Sequence, residues 1–60
     1  MSVLLAEYGN GITNTRLFKL NDDTYQVIVF NIQTGNEVAE FFHNKEVAMG
    51  FAQTRVMLNE

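Results

Sequence analysis

The sequence predicts a small α+β domain: an antiparallel meander of three or four strands with one C-terminal helix packed on one face of the sheet. Three observations point to it. Short β-rich runs are separated by clusters of Gly, Asn and Asp, residues that supply turn conformations. The spacing of apolar residues changes from strand-like to helix-like after Phe42. The 60 residues are the length of a single domain, spanning 1–60.

Val3 to Tyr8 reads as the first strand, ended by a Gly9-Asn10-Gly11 turn that Thr13-Asn14-Thr15 extends. Arg16 to Leu20 is the second, followed by a type I turn at Asn21-Asp22-Asp23. Tyr25 to Ile32 is the richest in β-formers, and Gln33-Thr34-Gly35-Asn36 turns the chain into a fourth strand, Glu37 to Phe42. A helix is predicted from Lys45 to Leu58. Asn44 caps it, Glu46 suits the positive end of its dipole, and Arg55 suits the negative end. Val47, Ala48, Phe51, Ala52 and Val56 form its apolar stripe, with Phe51 as the expected main anchor.

The sheet raises a covering problem. Along the third strand one face carries Gln26, Ile28, Phe30 and Ile32, and the other carries Tyr25, Val27, Val29 and Asn31. Both are apolar, and one helix covers one face. The expected free face is that of Tyr25, Val27 and Val29, unless Val3 to Ala6 folds back over it and completes a monomer. The helix surface opposite the stripe is also poor in charge. Met49, Gly50, Gln53, Thr54 and Met57 make up much of it, with charge at Lys45, Glu46, Arg55 and Glu60. Ordinary solvent faces are charged and polar. Methionine adapts to irregular interfaces, and a helical glycine permits close backbone approach. The alternative is that the meander wraps further and buries Met49 or Met57 in its own core.

Composition narrows the function. The hydrophobic fraction is 47%, while the charged fraction of 18% falls below the ~25% usual for soluble domains, so some of the surface is uncharged. A core this small rarely supplies more than ~3–5 kcal/mol, and disulfides, metals or oligomerisation make up the difference. The chain has no cysteine, which removes disulfides and thiolate metal sites and leaves oligomerisation or a bound partner. The net charge is −3, and the four basic residues, Arg16, Lys19, Lys45 and Arg55, form no patch. That argues against DNA, RNA and anionic membranes as partners. The longest apolar run, Val27 to Phe30, is too short for a membrane span. Met1 to Ala6 lacks a charged flank and does not read as a signal peptide. A cytoplasmic location is expected.

No catalytic, cofactor-binding or metal-ligating residue is predicted, and the chain is not expected to be an enzyme. His43 is the only histidine and has no cysteine partner, whereas a zinc site needs about four ligands; it reads as a polar residue before the helix cap. Asp22-Asp23 lacks the alternating acidic spacing of a calcium loop. Gly9-Asn10-Gly11 lacks the lysine and the length of a phosphate loop.

From Tyr25 to Ala52 the chain runs Tyr-x-Val-x-Val, Thr34-Gly35, a Glu/Phe strand, a cap, and Glu46-Val47-Ala48-Met49-Gly50-Phe51-Ala52. This resembles the three-stranded-sheet-plus-helix modules at the front of phage-type integrases. The resemblance covers about half the chain and implies the same fold, with arm-DNA binding as its function. Those modules meet DNA with Lys and Arg, where the matching strand here carries Glu37 and Glu40. In brevity and composition the chain is also similar to small phage proteins that act by binding a host protein.

The expected function is therefore a non-enzymatic protein-binding or regulatory module that self-associates as a homodimer. Its interface is expected at Tyr25, Val27 and Val29 or at Met49, Gly50, Gln53 and Met57. A nucleic-acid-binding domain of the integrase-arm kind is the alternative, and an enzyme subunit whose chemistry is shared across an interface is a third reading.

Overall fold

The structure, a computed structural model, describes residues 2–58, with side chains to Met57. Met1, Asn59 and Glu60, the last among the charges expected at the helix end, lie outside the described residues. The chain forms β1 (Val3–Gly9), β2 (Thr13–Asn21), β3 (Thr24–Asn31), β4 (Glu37–Phe42) and α1 (Lys45–Leu58). The four strands make one antiparallel sheet in the order β1-β2-β3-β4, and the helix packs on one face of it. This is the predicted meander, in its four-stranded form. No helix among the described residues is long and apolar enough to cross a membrane.

Asparagine side chains end most of the elements. Asn10 closes the first turn: its Oδ1 accepts from the amides of Ile12 at 2.9 Å and Thr13 at 2.8 Å, while Gly11 takes a φ of 89° that favours glycine. The turn is therefore finished by residue 12. Thr13-Asn14-Thr15, expected to extend it, instead open β2, and their β-branched threonines suit a pleated surface. Asn31 ends β3 one residue before Ile32, because its Oδ1 accepts from Gln33 at 2.9 Å and Thr34 at 3.0 Å. At the β2–β3 hairpin, Asn21 Oδ1 accepts from the Asp23 amide at 3.1 Å. No described residue other than glycine has positive φ, which excludes a type I′ turn. The register shifts beside this turn, between Lys19 and Asn21. Asn44 caps the helix as predicted, its Oδ1 accepting from Glu46 at 2.8 Å and Val47 at 3.1 Å.

The helix lies mainly across β2 and β3. The centre of its contact with the sheet is made by two small residues. Ala48 and Ala52, one turn apart, are fully buried against Leu17 and Val27, and their size lets the helix settle close to the strands. Across that contact Thr15 Oγ1 donates to the Ala52 carbonyl at 3.3 Å. At the far end Asn10 Nδ2 donates to the Val56 carbonyl at 2.6 Å, satisfying a last-turn acceptor that has no partner within the helix.

Two expectations change. Phe51 is not the central anchor. It sits half-buried at the margin, its ring 5.1 Å from that of Phe42, with the Arg55 guanidinium carbon 4.9 Å from its centroid. Val47, placed in the stripe, is 56% exposed. The buried line runs through Ala48 and Ala52, and the wider residues flank it. The second correction concerns the free face. Val27 is fully buried and Tyr25 and Val29 pack on the core, so these three lie beneath the helix. The face left open is the one that carries Gln26, Ile28 and Phe30.

Candidate functional site: the uncovered sheet face

Strand register lays the uncovered face out in rows. Leu4 pairs with Phe18, Phe18 with Gln26, and Gln26 with Phe41, so one row crosses all four strands. The next row is Glu7, Arg16, Ile28 and Ala39, and the third is Gly9, Asn14, Phe30 and Glu37. Phe41 is 62% exposed, Leu4 50% and Phe30 37%. Phe18 and Ile28, in the middle strands, are half-buried by their neighbours. The charges on this face are Glu7, Arg16 and Glu37. Arg16 Nε donates to Glu7 Oε2 at 2.8 Å, an exposed pair of the kind worth about 0–1 kcal/mol.

Leu4 reaches this face through a bulge. Strict alternation would place it with Ala6 and Tyr8 under the helix. The register shifts between Leu4 and Ala6, and the extra residue returns Leu4 to the open side. The same geometry removes the alternative in which Val3 to Ala6 fold back over the sheet. These residues are part of β1, paired to β2 at the edge of the sheet, and Val3, Leu4 and Leu5 are themselves exposed.

The helix-side candidates are dispersed. Met49 is half-buried and packs on the core, while Gly50 is exposed with no neighbour within 4 Å of where a Cβ would stand. Gln53 Nε2 donates to the Tyr8 hydroxyl at 3.3 Å. Met57 is 66% exposed. Gln53 and Met57 meet Glu7, Tyr8, Gly9 and Val56 along an open groove of about 490 Å³ between β1 and the helix. A smaller cleft of about 140 Å³ opens beside Thr13, Val29, Asn31, Val38, Phe51 and Arg55. Thr13 lines it, yet its Oγ1 is buried and has no hydrogen-bond partner.

No family model, curated protein or solved structure matches the chain. The likeness to integrase arm-binding modules therefore gains no support from known proteins. Among the described residues the open sheet face carries one cation, Arg16, already paired with Glu7. His43 Nδ1 lies 3.0 Å from the main-chain oxygen of Asp23; with Nδ1 protonated it ties the β2–β3 turn to the start of the helix. Among the described residues no three His, Cys, Asp or Glu side chains gather at one point.

Sequence reasoning missed the open face for two local reasons. The parity of the β3 strand was readable, but the side the helix takes depends on the partners of β3. Thr13, Thr15 and Leu17 alternate in β2 and continue the buried side across the register pairs Thr15–Val29 and Leu17–Val27. Reading Thr13 to Thr15 as turn hid that continuation. The bulge at Leu4 has no turn residue to announce it.

Proposed function

We propose that the chain is a non-enzymatic protein-binding module that acts by self-association. One observation carries the reading: the chain leaves more large apolar side chains outside than it seals inside. Among the described residues, Leu17 and Val27 are the only hydrophobic side chains larger than alanine that are fully buried, whereas nine large apolar side chains are exposed. Burial of a Leu, Val or Phe side chain contributes roughly 1.5–3 kcal/mol. A chain of this size with a core of four residues gains from a partner much of what a larger domain gains from its own interior.

Nucleic acid is the alternative reading, and the charge distribution favours protein. Phosphate contacts by Lys and Arg dominate nucleic-acid affinity, and this chain carries a net charge of −3.

Sedimentation equilibrium across a dilution series tests the proposal. A mass of twice the chain at high concentration, falling to that of the single chain on dilution, is expected. The single-chain mass at every concentration overturns it.

A further inference from the structure

We infer that the second copy seats on the uncovered face of the sheet, sheet against sheet, about a two-fold axis that runs along the strands between β2 and β3. This rests on the self-association reading and assigns its surface and orientation.

The face is large enough. Four strands spaced about 4.8 Å apart, with roughly 20 Å of strand length, give on the order of 400 Å² of plan area. Side-chain relief adds to this, so stacking two copies removes on the order of 1,000 Å² in total, the lower range of specific interfaces. The helix side offers less: Met57 is exposed, but Met49 already packs on the core and Gln53 is engaged with Tyr8.

Charge selects the orientation. Two sheets that pack face to face and aligned can be related by an axis in the plane between them, either across the strands or along them. An axis across the strands through the middle row sets β1 over β1 and β2 over β2. Glu7 then opposes Glu7 and Arg16 opposes Arg16, because both stand in that row. Like charges brought together in a desolvated interface are strongly unfavourable. An axis along the strands sets β1 over the β4 of the other copy and β2 over its β3, and it keeps each row over the same row. Glu7 then faces Ala39 and Arg16 faces Ile28. Glu37 faces Gly9, and no carboxylate opposes another. In the apolar row Leu4 faces Phe41 of the second copy, twice by symmetry, and one Phe18 ring from each copy flanks the axis.

The reciprocal Leu4–Phe41 contact provides the test. Leu4→Lys and Phe41→Glu alter exposed side chains at opposite edges of the sheet, and circular dichroism checks that each variant stays folded. Each alone is expected to raise the concentration for half-dissociation at least 100-fold. Mixed in equal amounts, they are expected to regain at least 10-fold of that loss as a heterodimer. The ammonium introduced in one copy then meets the carboxylate introduced in the other, while the second Leu4–Phe41 contact remains native. Gly50→Glu and Met57→Glu are expected to leave self-association within twofold of the parent. A dimer that ignores the sheet variants, or a mixture that regains nothing, overturns this surface or this orientation and leaves the self-association reading standing. A parent chain that never dimerises overturns that reading itself. Should the two sheet variants unfold, Ile28→Gln replaces them, and an unchanged midpoint for that variant contradicts the inference.

Discussion

The covered and uncovered faces of the sheet draw on alternate residues of the same four strands, yet they are finished differently. The covered face is dry and small at its centre: Leu17 and Val27 close under Ala48 and Ala52, and Thr15 is hydrogen-bonded to the helix backbone. The uncovered face has no layer above it among the described residues, and Leu4, Phe30 and Phe41 are exposed there. The difference shows that volume alone does not locate the core of a small domain. The position of the helix does, and here two alanines fix it by permitting close approach.

That contrast can be broken most sharply by truncation on each face. Leu17→Ala is expected to cost about 2–5 kcal/mol, as a large-to-small change in a packed core. Phe41→Ala is expected to stay within about 0.5 kcal/mol for the single chain, as a surface change. Urea unfolding at the lowest workable concentration measures both. Equal losses would mean that the faces are equivalent. A second probe asks whether the alanines set the helix height. Ala52→Leu is expected to destabilise by about 1–3 kcal/mol through overpacking, and a neutral result in the same unfolding assay would show slack beneath the helix.

Smaller effects sharpen the picture. Asn44→Ala removes the acceptor of the Glu46 and Val47 amides and is expected to cost about 1 kcal/mol, read as a lowered melting temperature. The two buried threonines should respond with opposite signs. Thr15→Val deletes a hydroxyl bonded to the Ala52 carbonyl and should lower stability by about 0.5–1.5 kcal/mol. Thr13→Val deletes a buried hydroxyl with no partner and should raise stability by about 1 kcal/mol, because an unsatisfied polar group is removed. Thermal melts of the pair check the signs directly.

Most of the fold was legible in the sequence. β4 and the helix have the predicted bounds, because a capping asparagine and a change of apolar period mark the junction. The turns were placed by their asparagines and glycines, but their lengths were not. Asn10 closes its loop and Asn31 opens its own with side-chain acceptors earlier than composition suggests, which gave Thr13 to Thr15 to a strand and took Ile32 out of one. The identity of the open face was less legible. It depends on which side of β3 the helix chooses and on a bulge beside Leu4, and both are set by pairing between strands rather than by local sequence. Phe51 misled for a related reason: the largest side chain in the stripe marks the edge of the contact, where there is room for it.

In the proposed dimer the open face seats a second copy with Leu4 over Phe41. Within one chain these two residues lie at opposite edges of the sheet, β1 and β4, about 14 Å apart at three strand spacings. That is beyond the reach of a proton–proton Overhauser contact, so any such contact between them is intermolecular. An isotope-filtered Overhauser spectrum of a mixture of labelled and unlabelled chains at high concentration is therefore decisive. Cross-peaks between the Leu4 methyls of one copy and the Phe41 ring of the other are expected. Intermolecular cross-peaks confined to Met57 and the helix, with none at Leu4 or Phe41, would contradict it.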